Sequence, residues 1–197
     1  MHGKTIEDFI KSLFPGSSDC GRSCQSDFDI EAKFDKILHI PTDIKTTGSG
    51  DICLADARKF FQRNESFRWL IAPYTQNDEQ KIFSEIFEYI VDRDILNKIR
   101  GNLCTDVVCD FHNKLKDFSS YNDARVFAKE RKKELIGFCG IVKLNPKIDS
   151  KSQRRLQCSI AINDLDKFVD CKRYEKDYKG LVLPIFIKSS KREFKGK

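Results

Sequence analysis

Apolar residues recur with two different periods along this chain. Ile6, Phe9, Ile10 and Leu13 fall at helical spacing, predicting a helix over Thr5–Phe14 that opens beside the acids Glu7 and Asp8 and stops at Pro15-Gly16. From Asp27 the period becomes two. Phe28, Ile30, Ala32 and Phe34 alternate with Asp27, Asp29, Glu31, Lys33 and Asp35, which predicts a half-buried strand with an acidic outer face. A turn at Lys36–Leu38 leads to a second strand over Ile40–Thr46, ended by Gly48-Ser49-Gly50. The pattern then predicts a helix over Leu54–Asn64, a strand over Phe67–Tyr74 holding the single tryptophan, Trp69, and a long helix over Asp78–Ile99.

The C-terminal half predicts helices over Asn102–Phe118 and Asp123–Leu135. A strand over Ile136–Leu144, a polar link over Asn145–Ser152 and a strand over Arg155–Ile162 then form a long hairpin. A last apolar strand over Gly180–Ile187 precedes a basic tail, Lys188–Lys197. This order implies an α/β fold, a mixed β-sheet flanked by helices with a basic C-terminal β-hairpin extension. The chain is expected to be a single domain over 1–197, with a core over about 1–100 and an extension over about 101–197.

Composition narrows the class. With 197 residues, 40% of them hydrophobic, the chain is long enough to bury a core, so global disorder is excluded. No run approaches the roughly 18 apolar residues of a membrane span, and Met1–Lys11 has no signal-peptide core. The expectation is a cytoplasmic protein with no membrane partner. Its 8 cysteines are then expected to be reduced. Cys104, Cys109 and His112 lie close enough in sequence to offer zinc a ligand set, while Leu103, Val107, Phe111 and Leu115 make the same stretch an apolar helix; both readings stay open.

Charge is unevenly spread. Residues 131–197 carry 18 Lys and Arg against 8 Asp and Glu, whereas acids outnumber bases before them. Such a distribution suits a polyanion-facing C-terminal third beside an acidic part able to hold metal ions.

The candidate chemistry lies in the first hairpin. Centred near Lys36, it sets Asp29 opposite Asp43, and like charges so placed call for a cation between them. Mg²⁺ takes hard oxygen ligands and commonly uses one or two carboxylates with phosphate and water. Lys45 shares the face of Asp43 and is placed to orient or deprotonate a water.

Ser26-Asp27-Phe28-Asp29-Ile30, a hairpin and then Thr42-Asp43-Ile44-Lys45-Thr46-Thr47 resembles the PD-(D/E)xK nuclease superfamily, particularly type II restriction endonucleases. The resemblance covers about the first 90 residues. It implies one or two Mg²⁺ ions per site, with Asp29 and Asp43 as ligands, Lys45 as catalytic lysine and Glu7 as an extra acid on the first helix. It lacks the family's proline before the first aspartate, and Asp27 stands as an alternative to Asp29. Asp/Glu-x-Lys occurs eight times in this charged chain, and Glu31-Ala32-Lys33, also in a predicted strand, is the alternative to Asp43-Ile44-Lys45.

The activity so implied is sequence-specific cleavage of double-stranded DNA leaving 5′-phosphate ends, by a homodimer matched to a palindrome. The second hairpin offers Lys143, Lys147 and Lys151 for phosphates, and Asn145, Arg154, Arg155 and Gln157 for base edges. The alternatives are a junction-resolving or repair nuclease that reads DNA shape, and a non-enzymatic DNA-binding regulator.

Overall fold

The computed structural model describes residues 7–8, 10–12, 28–35, 38–77, 80–83, 85–149 and 153–174, together with the strand segments 177–178, 181–182 and 185–188. Residues 7–8 and 10–12 are helical and belong to α1. There follow β1 (Thr42–Thr47), β2 (Asp51–Asp56), α2 (Ala57–Gln62), β3 (Phe67–Asn77), β4 (Gln80–Phe83), β5 (Ile86–Val91), α3 (Arg93–Arg100), α4 (Thr105–Asp117), α5 (Tyr121–Leu135), β6 (Lys143–Ile148), β7 (Arg154–Ala161), α6 (Ile162–Leu165), β8 (Cys171–Tyr174), β9 (Asp177–Tyr178), β10 (Leu181–Val182) and β11 (Ile185–Lys188). The chain is α/β, with a mixed sheet and flanking helices. No helix among the described residues is long and apolar enough to cross a membrane.

Two compact units share the chain by interleaving rather than in succession. One comprises Met1–Gly50, Ser66–Val91 and Asp170–Lys197; the other comprises Asp51–Glu65 and Asp92–Val169. The chain leaves the first unit after β1, contributes β2 and α2 to the second, and returns as β3. No sequence signal marks that excursion, because β2 and α2 follow β1 after only the Gly48-Ser49-Gly50 bend.

The first unit is built on a six-stranded sheet in the order β11-β4-β3-β5-β8, with β1 pairing parallel to β3. Phe67, Trp69, Leu70, Ile71 and Ala72 are fully buried on β3, as a central strand covered on both faces requires. Ile10 from α1 packs with Ile30, Ile44, Leu70, Phe83 and Ile86 on one side of this sheet. Gly48 ends β1 where a Cβ would lie 2.6 Å from the Tyr74 ring.

The second unit pairs a three-stranded sheet, β2-β7-β6, with α2, α4 and α5. Ile52, Phe60, Phe61, Phe111, Leu115, Leu156, Cys158 and Ile160 form its buried centre. The guanidinium of Arg100, at the end of α3, donates to the carbonyls of Phe60 and Arg63 and so satisfies the C-terminal end of α2.

Three predicted elements are corrected. The helix expected over Asp78–Ile99 is instead β4, β5 and the short α3. Its apolar residues come as Ile86-Phe87 and Ile90-Val91, β-branched and aromatic types that suit a strand between two neighbours, and β5 pairs with both β3 and β8. The helix expected from Leu54 begins at Ala57, because Asp56 caps it by accepting from the Arg58 N–H at 2.9 Å.

The strand expected over Ile136–Leu144 begins only at Lys143. Residues before it wrap the C-terminus of α3, with Gly140 and Ile141 N–H donating to Arg100 and Ile99 carbonyls. The hairpin is longer than expected at its tip, since Asn145 to Ile148 are paired with Gln157 to Arg154. Pro146 is tolerated there because β6 is an edge strand.

β2 carries a bulge between Cys53 and Asp56, where Ala55 adopts φ 62°. A Cβ in the left-handed region costs about 1–2 kcal/mol. Ala55→Gly should therefore stabilise the chain by about 1 kcal/mol in urea unfolding, after the entropy cost of glycine. Ala55→Val should destabilise it; a stabilising valine would mean that the bulge does not carry this strain.

Candidate active site

The first predicted hairpin keeps its register but not its strand. Ile30 and Thr42 exchange both backbone hydrogen bonds, Ile30 N–H to Thr42 O at 2.9 Å and Thr42 N–H to Ile30 O at 2.8 Å, as an isolated antiparallel bridge. This places Asp29 across from Asp43, as the sequence symmetry about Lys36 required. Pairing goes no further in either direction. On one side the Ile44 N–H, which a longer ladder would direct to a backbone carbonyl, donates to Asp29 Oδ2 at 2.7 Å. A short polar side chain thus competes with the ladder and ends it. On the other side Ala32–Phe34 form a 3-10 turn, so the alternating acid pattern there does not build a strand.

Asp43 is held from two directions. Its Oδ1 pairs with Lys45 Nζ, and its Oδ2 accepts from the Trp69 indole N–H at 3.3 Å. Parallel pairing of β1 with β3 brings this about, since Asp43 and Trp69 are register partners. Asp43 is 4% exposed. Phe67 stacks edge-on against Trp69 at 5.0 Å between centroids and meets Phe28 at 5.6 Å, an aromatic row that fixes the indole.

Asp29 is the electrostatically strained member. Burial first, then the negative charges of Asp43 and Glu7, push its carboxyl up to about 6, against the pull of Lys45 and the Ile44 N–H. The Asp29, Asp43 and Glu7 carboxylates therefore repel one another, with the Lys45 ammonium on Asp43 and the Lys11 ammonium on Glu7 as the opposing charges. Glu7 reaches this group from α1 while its own carboxylate pairs with Lys11.

A second set of buried charges secures the segment that carries Asp29. The Arg68 guanidinium lies 2.8 Å from Asp35 and 3.2 Å from Glu88, and donates to Thr42 Oγ1 at 3.0 Å. Tyr174 donates to the other Glu88 oxygen at 2.6 Å, and burial together with that carboxylate pushes its hydroxyl pKa up, keeping it a donor. Asp35 also accepts from the Leu38 N–H at 3.1 Å. Removing one member of such a buried set leaves the others uncompensated, so the network ties Asp35 and Thr42 to β3 and β5.

The remaining candidates separate cleanly. Glu31 and Lys33 are exposed and pair with each other at 2.6 Å, and they sit at a 3-10 turn rather than in a strand. Asp27 and Lys151 lie outside the described residues. In the second unit, Lys143, Asn145 and Lys147 pair with Ser159, Gln157 and Arg155, so all of them share one face of the β6–β7 ribbon. Leu144, Leu156 and Cys158 occupy the buried opposite face. Arg154 also belongs to that opposite face, and it donates to the Ser119 carbonyl at 3.0 Å. Asn145 donates to Ser159 Oγ at 2.7 Å, and Lys143 pairs with Asp51 at 2.9 Å.

The zinc reading is not carried through. Cys104 is the exposed N-cap position of α4, and His112 is buried with Nδ1 accepting from the Leu156 N–H at 3.3 Å. Among the described residues no three His, Cys, Asp or Glu side chains stand together as a metal cage.

Sequence reasoning did not single out Trp69, Arg68, Asp35, Glu88 or Tyr174 as site residues. One signal was present: the apolar runs 67–72 and 86–91 are each interrupted by one charge, Arg68 and Glu88, of opposite sign. A lone charge within a buried strand needs a partner. Comparisons of this chain with protein-family models, with curated proteins and with solved structures return no match.

Proposed function

We propose that this chain is a Mg²⁺-dependent deoxyribonuclease of the type II restriction-endonuclease kind, cutting double-stranded DNA at a fixed sequence. The observation that carries this reading is the juxtaposition of Asp29 with Asp43 across the Ile30–Thr42 bridge, with Lys45 paired to Asp43. The order of elements supports it. An acid-bearing segment lies antiparallel to an Asp-x-Lys strand, and a crossover leads from that strand to β3, parallel beside it.

Asp29 and Asp43 are the metal ligands in this reading, and Glu7 is an outer acid. Two protein carboxylates, with water and phosphate completing the shell, suffice for Mg²⁺, which rarely needs a full protein cage. A bound Mg²⁺ would supply an acidified water and relief of the charge gathered on phosphorus. Lys45, held by Asp43, is placed to steer a water or meet a non-bridging phosphate oxygen. Trp69 orients Asp43, and the Arg68 network orients the backbone of Asp29. Hydrolysis in line then leaves 5′-phosphate and 3′-hydroxyl ends. The outward face of the β6–β7 ribbon, with Lys147, Arg155 and Gln157, offers groups suited to phosphates and base edges. One active site per chain suits a homodimer on a palindromic site.

The test is a digest of long unmodified DNA with Mg²⁺ and with EDTA. Discrete fragments that require Mg²⁺ are expected. A Mg²⁺-dependent smear, or cutting confined to branched substrates, would transfer the site to a nuclease that reads structure. DNA binding with no cleavage under any divalent metal would overturn the enzyme reading.

A further inference from the structure

The charges on α5 are sorted. By helical spacing Asp123, Glu130 and Glu134 fall in one stripe, while Arg125, Lys129 and Lys132 fall in another on the far side. Ala124, Ala128 and Leu135 make a third, buried stripe between them. Cations three and four residues apart repel by about 0.2–0.5 kcal/mol per pair, and the acids that would offset them lie across the helix. Arg131 pairs with Glu134 at 2.8 Å on the acidic side. Among the described residues no ion pair involves Lys129 or Lys132. Arg125 lies over the Tyr121 ring at 4.0 Å, which holds its guanidinium in place.

This basic stripe faces a cleft. Two adjoining cavities of about 330 Å³ each share Lys132. The first runs between Arg125, Lys129 and Lys132 and an apolar wall of Pro146 and Ile148; the second continues beside Lys143 and Asn145. Both lie along β6, the edge strand of its sheet. Arg125 and Lys132 are about 10 Å apart along the helix axis, from 1.5 Å rise per residue. The cations are therefore strung in a line instead of converging on one point, which suits a chain of phosphates better than a single anion. An apolar wall opposite them strengthens their field within the cleft.

We propose that the cleft between α5 and β6 is a phosphate track for the backbone of double-stranded DNA, held by Arg125, Lys129 and Lys132. The inference deepens the nuclease reading and rests on it for the choice of nucleic acid. None of these three residues belongs to the β6–β7 ribbon face, so the track adds a sequence-independent contact made by a different element.

Binding of a labelled DNA duplex in EDTA, where no cleavage occurs, tests it through the salt dependence of affinity. Each phosphate contact contributes about 0.9 to the slope of log K against log salt. The triple variant R125Q/K129Q/K132Q should flatten that slope by about 2–3 and weaken binding at least about tenfold at moderate salt. Gln keeps helix propensity, and an unchanged melting temperature confirms the fold. K114Q/K116Q/K167Q removes the same charge elsewhere in the same unit and should leave the slope unaltered.

An unflattened slope in the first variant, equal flattening in the second, or tighter binding of single strands than of duplex each overturns the track. The two readings fail separately. A chain that binds with the expected slopes yet never cuts loses the nuclease and keeps the track, whereas a chain that cuts with an unaltered slope in the triple variant does the reverse.

Discussion

Lys45→Ala should cut DNA about 10²–10⁴-fold more slowly than the parent chain at saturating Mg²⁺, the range expected when a positioned acid-base or charge-stabilising group is lost. Asp43→Ala should lose at least as much, because it removes a proposed metal ligand and releases both Lys45 and the Trp69 indole from their partner. The two losses should not add in the double variant, since the residues act as one unit. DNA affinity in EDTA should fall by no more than the loss of one phosphate contact in Lys45→Ala, far less than the rate, which separates a chemical defect from a binding one. Lys33→Ala serves as the matched control: its Asp/Glu-x-Lys triplet is exposed and self-paired, so cleavage should persist at the parent rate. Equal cleavage by Lys45→Ala and the parent would remove Lys45 from the mechanism. A large loss in Lys33→Ala instead would move the site to Glu31.

The pairing of Asp29 with Asp43 was legible because it depended on symmetry about a turn, and the Ile30–Thr42 bridge carries that symmetry. Period alone was less informative. Alternating polarity over 28–35 was read as a strand, yet Asp29 captures the Ile44 N–H and Asp35 turns inward to Arg68, so two side chains divert the backbone that the pattern assigned. The segment 78–99 failed for a different reason. Pairs of apolar residues three and four apart satisfy a helix, but a strand covered on both faces is also apolar at consecutive positions, and Ile86–Val91, buried at every position but Ile90, is such a strand. Interleaving of the two units could not be read at all, because it depends on where β2 finds a partner, and β7 lies about a hundred residues further on. Of the hairpin of β6 and β7 only the second run was legible: Asn145–Ile148, expected as a polar link, are strand, and the apolar residues before Lys143, expected as strand, wrap the end of α3 instead.

The strain on Asp29 makes stability and metal binding depend on pH in a defined direction. Its folded pKa of about 6 lies above the ordinary carboxyl value of 3.8. Between those two values the folded chain keeps a proton that the unfolded chain releases, so stability falls as pH rises through this window and the full penalty is present above it. Asp29→Asn keeps an oxygen for the Ile44 N–H and removes the charge. It should therefore be more stable than the parent at pH 7.5 by about 1–3 kcal/mol, a range discounted for the partial exposure of the group, and of equal stability near pH 4. Mg²⁺ held between Asp29 and Asp43, as proposed, would relieve the same repulsion. Added Mg²⁺ should accordingly raise the melting temperature of the parent at pH 7.5, have little effect at pH 4.5 where Asp29 is protonated, and have little effect on Asp29→Asn at either pH. The variant would then be the more stable protein and the inactive one, as expected where a cluster of carboxylates is kept for a cation and not for the fold. A less stable Asp29→Asn at pH 7.5, combined with a Mg²⁺ response equal to that of the parent, would show that this carboxylate is a structural acceptor and that the metal is held elsewhere.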